Sequence, residues 1–215
     1  MAEPRTPSSD EVRALVRRIV DATLDGAPGL SGATTHAPGG SPSATPAPHA
    51  APAGSASAIA IAIGADHGAW QLKDVIGRTL AEAGYTITDC GTNGPDAVDY
   101  PDIAHAVARL VADGTCRWGI VLDGAGIGSA MVANKVPGVR AANCHDLSSA
   151  RNSREHNHAN VLTLGARFVG EGLAIEIVRA WLGTDWAPGR HAARVDKITD
   201  VERRYMKPTG EGRPG

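Results

Sequence analysis

The chain is predicted to be an α/β protein built on a five-stranded parallel sheet with helices on both faces. Three observations carry that prediction. Between residues 58 and 205, five short runs rich in Ile, Val and Leu alternate with helix-length segments, the order that generates parallel sheets. The runs are almost continuously apolar, as in Ala-Ile-Ala-Ile-Ala-Ile over 58–63, and strands covered on both faces read that way. The segment Trp118–Lys135 is the most informative: an apolar run stops at Asp123, Gly124, Gly126 and Gly128 follow, and a helix-compatible stretch begins. A strand that ends at a carboxylate and turns through glycines into a helix places that carboxylate at the carboxyl edge of the sheet. Open α/β folds bind their ligands there.

The elements follow in order. Residues 58–64 form a first strand and 69–83 a helix closed by Gly84; 85–89 form the second strand, and a helix over 102–112 ends before Gly114. The third strand is 118–122, with Ser129–Lys135 in the next helix. A fourth strand over 139–143 precedes a helix over 147–155, and a fifth over 161–164 precedes a helix over 172–182, stopped by Gly183. A last short helix is expected over 198–205. Glycines at these ends suit helix stops.

Composition divides the rest of the chain. Residues 26–57 are almost wholly Gly, Ala, Pro, Ser, Thr and His, with Leu30 the one large aliphatic residue. Such a segment buries too little apolar surface to offset its ordering entropy, so a flexible linker is expected. Residues 207–215 read as a frayed tail, leaving 58–206 as the folded domain. Within 1–25, Ser8-Ser9-Asp10-Glu11 forms a capping box. Val12, Leu15, Val16, Ile19, Val20 and Leu24 then recur at helical spacing with Arg13, Arg17 and Arg18 elsewhere on the helix. An amphipathic helix of about four turns needs a partner for its apolar stripe.

The formal charge of −2 gives no electrostatic case for nucleic acid. No apolar run nears the roughly 20 residues of a membrane span. The three cysteines, Cys90, Cys116 and Cys144, follow no CxxC or zinc spacing, which points to a reducing, cytoplasmic setting. His156 and His158 lack both helical and zinc spacing, so no metal site is expected.

Polar residues gather at strand ends or just beyond them: Asp66-His67, Asp99-Tyr100-Pro101, Asp123, His156-Asn157 and the Gly-rich Arg190-His191 with Arg194. Glycines let backbone N–H groups approach an anion, and two arginines four apart suit a phosphate. A plain solvated cluster fits the arginines equally well from composition.

Those residues carry a resemblance. Gly64-Ala-Asp-His-Gly68 with Leu72-Lys73, Asp99-Tyr-Pro101, Asp123-Gly-Ala-Gly-Ile-Gly128, Ala133-Asn-Lys135, Arg154-Glu-His-Asn157, Gly165-Ala-Arg167 and Gly189-Arg-His191 with Arg194 occur in the order of the ribose-5-phosphate isomerase B / galactose-6-phosphate isomerase family. The resemblance spans essentially all of 58–205. It implies a Rossmann-like three-layer sandwich, a dimer or tetramer with active sites shared between subunits, and no metal or organic cofactor. It implies aldose–ketose isomerisation of a phosphorylated sugar, with ribose-5-phosphate to ribulose-5-phosphate the first expectation and a tetrose or galactose-6-phosphate type the alternative. His156 would help open the sugar ring. The loop bearing Gly124, Gly126 and Gly128, with Asn157, would stabilise the enediolate oxygen. His67, Arg190, Arg194 and a neighbouring subunit's Arg167 would hold the phosphate, and Asp66, Tyr100 and Asn134 would contact the sugar.

The chain departs from the commonest family pattern where the base resides. Many members carry a cysteine where this sequence has Asp123; others place a glutamate at the position of Ser129, and a threonine or serine often stands at that of Ala125. Asp123 is the expected base, since a carboxylate in a partly dry pocket suits that role. The A subunit of galactose-6-phosphate isomerase resembles this chain at these positions and works beside a cysteine-bearing subunit, so a partner-dependent subunit is the competing expectation. The N-terminal helix and linker resemble the encapsulation peptides of bacterial microcompartment cargo, which implies a shell protein as partner of residues 8–25 and a location inside such a compartment.

Overall fold

In strand β1 (Ala60–Ala65), Ile61, Ile63 and Ala65 point to one face of the sheet and Ala62 to the other, the two-residue period of a pleated strand. A computed structural model describes residues 59–206; the expected helix within 1–25, the linker over 26–57 and the tail over 207–215 lie outside them. After β1 come α1 (Trp70–Glu82), β2 (Thr86–Asp89), α2 (Tyr100–Ala112), β3 (Trp118–Asp123), α3 (Ile127–Ala133), β4 (Ala141–Asn143), α4 (Leu147–Glu155), β5 (Val161–Gly165) and α5 (Glu171–Leu182). A 3₁₀ turn over Gly189–His191 runs straight into α6 (Ala192–Tyr205). The expected Rossmann-like α/β sandwich is the observed one.

All strand pairs are parallel, in the order β2-β1-β3-β5-β4. Alternation along the strands fills two cores. Ile61, Ile63, Ile120, Leu122, Leu162 and Leu164 meet Ile76 and Leu80 of α1 and Ile177 and Trp181 of α5. On the other face Ala62, Val121 and Val161 meet Ala104, Val107 and Val111 of α2 and Ala133 of α3. Each fully buried Ile, Leu or Val among them contributes about 1.5–3 kcal/mol. Lys73, 1% exposed, donates to Asp89 (2.5 Å) and Asn93 (2.6 Å). These bonds tether the turn after β2, whose Gly91 carbonyl accepts from the Ala65 N–H (2.7 Å) and so holds the end of β1.

Three boundaries differ from the sequence expectation in ways that bear on function. Tyr100 and Pro101 are the first turn of α2, with Asp99 before them; a proline needs no N–H there. Strand β4 starts at Ala141, because Val136–Val139 form a turn closed by a Val139 N–H to Val136 carbonyl bond (3.1 Å). The last helix begins at Ala192 rather than at Ile198, which puts Arg194 on a helix instead of in an irregular segment.

The topology sorts the polar residues. The chain leaves β1 toward β2 on one side and β3 on the other, so the ends of β1 and β3 flank the switch point of the sheet. Asp66-His67, Asp123 and the Ala166-Arg167 turn all fall at that edge. Helix α4 leaves the same edge after β4 and returns toward the start of β5, carrying His156 and Asn157 back with it.

Candidate active site

Asp123 closes β3 and the following loop wraps around its carboxylate. Oδ1 accepts from the N–H of Ala125 (2.7 Å) and from that of Gly126. Oδ2 accepts from the Ser129 N–H (3.2 Å) and the Ser129 hydroxyl (2.5 Å). The residue is 5% exposed. Four donors match the acceptor capacity of a carboxylate. This corrects one expectation: the Ala125 and Gly126 amides are occupied by the chain's own anion, because an Asp side chain at a strand end reaches the N–H groups two and three residues on. The N–H groups of Ile127 and Gly128 make no such bond, as the first residues of a helix leave theirs unpaired, and that of Gly124, ahead of the helix, has no partner among the described residues.

The glycines fit tightly. Gly126 has φ +76°, and a Cβ there would lie 2.9 Å from the Leu164 carbonyl carbon and against Asn143 Oδ1. A Cβ on Gly128 would lie 2.6 Å from the Tyr100 ring. Arg167 passes over Gly124, its Nε 3.6 Å from where a Cβ would be. The Asp66 N–H donates to the Leu122 carbonyl (3.1 Å), which sets Asp66 beside the end of β3. Its Oδ1 accepts from the Gly68 N–H (2.9 Å), and His67 Nδ1 accepts from the Val98 N–H (3.4 Å). Asp66, His67, Tyr100, Asp123, the three glycines and Arg167 therefore share one edge; Arg167 stands over its own chain's Gly124, where the resemblance implied a neighbouring subunit's Arg167.

A second group stands apart. His156 caps α4, its Nδ1 2.8 Å from Asn152 Nδ2, and its ring stacks on that of His191 (centroids 4.1 Å apart, 10° between planes). His191 is 9% exposed. Its pKa is held below the ordinary imidazole value by loss of water and then by its neighbours His156, Arg190 and Arg194. The end of α4 is anchored by buried Arg154, whose guanidinium lies 3.9 Å from the Trp118 ring centroid and 5.1 Å from that of Trp181. Its Nη1 donates to the Ala159 carbonyl (2.6 Å). Burial, with Arg117 adding, lowers the Arg154 pKa to about 10.

No hydrogen bond, ion pair or ring contact among the described residues joins this group to the loop of Asp123. The nine residues of α4, at about 1.5 Å rise each, carry His156 some ~13 Å back from the helix start. Asn157 lines a groove of about 580 Å³ with Asn143 and Asn152 rather than meeting the glycine loop. Asn134, expected to contact the sugar, instead donates to the Ala130 and Ala141 carbonyls (2.9 Å each) and accepts from the Ala141 N–H (2.9 Å). Those bonds use its whole amide to fasten edge strand β4 to α3. Sequence reasoning missed His191 and Asn152 as partners of His156. The i, i+4 spacing from Asn152 to His156 was the available signal.

A doubly wound parallel sheet with free N–H groups, an arginine and a histidine at its switch point defines a class: α/β proteins whose ligand site lies at the carboxyl edge. The chain belongs to the ribose/galactose isomerase family, whose sequence pattern matches residues 61–198. It is 46% identical over 142 residues (65% of this chain, 93% of the relative) to the D-erythrulose-4-phosphate isomerase of Pectobacterium atrosepticum. It is 45% identical over 144 residues (67% and 97%) to ribose-5-phosphate isomerase B of Escherichia coli. The structure of ribose-5-phosphate isomerase B from Clostridium thermocellum superposes with a TM-score of 0.68 at 49% identity, covering 69% of this chain and 100% of that one.

Proposed function

We propose that this chain is an aldose–ketose isomerase of four- or five-carbon sugar phosphates, ribose-5-phosphate to ribulose-5-phosphate being the first candidate reaction. The observation that carries the reading is the pairing of Asp123 Oδ2 with a rotatable hydroxyl beside three unoccupied N–H groups, those of Gly124, Ile127 and Gly128. When Ser129 turns its hydroxyl to substrate, Oδ2 regains a lone pair. It then takes the proton from C2, next to the carbonyl, and returns it to C1, while the O2 hydroxyl proton passes to O1 and the carbonyl moves to C2. The free N–H groups stabilise the enediolate oxygen between those steps, each such donor being worth about 2.7–4 kcal/mol. Asp66 and Tyr100 orient the hydroxyls. His67 and Arg167 meet the phosphate from one side, and Arg190 and Arg194 from the other, so that binding energy remote from the reacting carbons positions them.

The second group comes from another copy of the chain in this reading. Exposed apolar side chains beside the loop support a covering partner: Met131 (63% exposed) and Ile127 one turn apart on α3, and Phe168 (62%) after β5. Helix α6 likewise leaves Ile198, Val201 and Tyr205 exposed. A two-fold arrangement brings His156, Asn157, Arg190 and Arg194 of one copy to the loop of the other.

Purified full-length protein assayed in deuterated water with ribose-5-phosphate and with a tetrose 4-phosphate tests the proposal. Turnover with solvent deuterium in the product is expected; no turnover of either sugar overturns it. The saturation of Asp123 favours one other reading, a subunit whose base comes from a cysteine-bearing relative. Activity that appears only on mixing the two chains would establish that reading instead.

Residues 8–25 supply a further part of the proposal: an apolar helical stripe on a long tether that docks to a microcompartment shell. A fluorescent protein fused to residues 1–57 should form puncta in cells making the shell. A diffuse signal, unchanged by Leu15→Glu and Ile19→Glu, overturns it.

A further inference from the structure

We infer that Asn152 and His191 are positioning residues for His156: the Asn152 amide fixes the imidazole in the tautomer that carries its proton on Nε2, and the His191 ring sets its plane. The inference rests on the proposed ring-opening role of His156 and goes one step deeper into it. Asn152 lies one helical turn before His156 on α4, its Nδ2 2.8 Å from His156 Nδ1. An amide nitrogen can only donate, so the ring nitrogen facing it accepts, and a neutral imidazole must then hold its proton on Nε2. Nε2 lies 3.8 Å from Glu155 Oε1, beyond hydrogen-bond reach, so that proton is available to a ligand.

His191 supplies the second constraint. Its ring lies parallel to that of His156 at 4.1 Å, is itself buried, and sits on a 3₁₀ turn fastened by a His191 N–H to Pro188 carbonyl bond of 2.7 Å. A stacked ring that cannot tilt leaves His156 no freedom to swing Nε2 away. The charged groups nearby are Glu155, whose Oε1 lies 3.8 Å from His156 Nε2, and Arg190 and Arg194, which flank His191 in the chain. A triad carboxylate accepts from Nδ1–H and leaves Nε2 bare; Asn152, as a donor to Nδ1, holds the opposite tautomer, with the proton on Nε2.

Sugar chemistry supplies a test that a merely structural role would fail. An aldopentose 5-phosphate closes through O4 into a furanose and must be opened: the His156 Nε2 proton goes to the ring oxygen, the C1–O4 bond breaks, and the O1 hydroxyl proton passes to the emptied Nε2 as the aldehyde forms. A tetrose 4-phosphate has O4 esterified, so it cannot close that ring and needs no opening. Asn152→Leu and His191→Ala should each lower kcat/KM for ribose-5-phosphate roughly 10–100-fold while leaving tetrose 4-phosphate turnover within about twofold. His191→Phe, which keeps the stack, should restore most of the loss.

Nitrogen-15 NMR of the wild-type protein should show the His156 proton on Nε2, and Asn152→Leu should give a mixture. Equal losses on both sugars, or an Nδ1-protonated wild-type ring, would overturn the inference. If the wild-type chain turns over neither sugar, the isomerase reading falls, and the NMR tautomer still decides whether Asn152 acts on His156. If only the tetrose turns over, the tautomer decides in the same way.

Discussion

The two polar groups of this molecule differ in how far they satisfy themselves. Around Asp123, four hydrogen bonds, a left-handed glycine and a close-packed tyrosine use nearly every polar atom, leaving three N–H groups and one rotatable hydroxyl. Around His156, one amide and one stacked ring set the imidazole while Arg190 and Arg194 have no carboxylate partner among the described residues. A pre-built cradle with little left to give, and a cationic cluster with much left unpaired, are complementary rather than redundant. The lesson is that local backbone can satisfy one polar group almost completely while another, built across helix ends, keeps its cations free for a ligand.

The comparison breaks most clearly at Asp123. Asp123→Asn should reduce turnover by about 10²–10⁴-fold, because the amide is no base and sets an NH₂ against N–H donors. A thermal-melt control separates lost chemistry from lost folding. A folded variant keeping most of its activity would make Asp123 a loop cap only, and the cysteine-bearing partner reading would gain.

Next in size is the cationic half. Arg190→Ala should raise KM roughly tenfold or more, the equivalent of about 1.5–3 kcal/mol for a hydrogen bond to a charged group, while stability stays within about 0.5 kcal/mol. A fall in urea midpoint as large as the loss of affinity would show that the cluster is internally satisfied after all.

Gly128→Ala probes the cradle's packing. The new Cβ meets the Tyr100 ring at 2.6 Å, so a destabilisation of about 1–3 kcal/mol is expected in urea denaturation. Adding Tyr100→Ala should recover part of it if the two residues are coupled.

The smallest effect is on pH dependence. The His191 pKa is lowered in the folded chain, so between that value and the ordinary imidazole range near 6.5 the unfolded chain binds more protons. Stability therefore rises with pH through that window and falls as pH drops through it. His158 shifts the same way, so His191→Gln should flatten only part of the Tm decline from about pH 7.5 to about pH 5.5. An unchanged slope would show that the ring is not shielded as its burial implies.

Much of this was legible before any coordinates. Asp66 and Asp123 followed strand-like runs, so their place at the carboxyl edge followed from the alternation of elements alone, and α4 ran over the expected residues. Tyr100 was harder, because Asp99-Tyr100-Pro101 reads as a loop until proline is allowed to open a helix. Asn134 looked like a binding residue because it sits in a family motif, yet its amide fits the backbone of β4. The reach of α6 was missed because Gly189 masks a turn that leads directly into helix.

By itself the sequence determined the order of strands and helices, and hence which residues arrive at the switch point, because apolar periodicity and glycine stops act over a few neighbouring positions. Only the tertiary structure decided which polar atoms are already paired and which remain for a ligand or a second copy. That depends on through-space separations, set to within a few tenths of an ångström, between residues far apart in the chain, such as Gly126 with Asn143 or His156 with His191. No local pattern in the sequence encodes them.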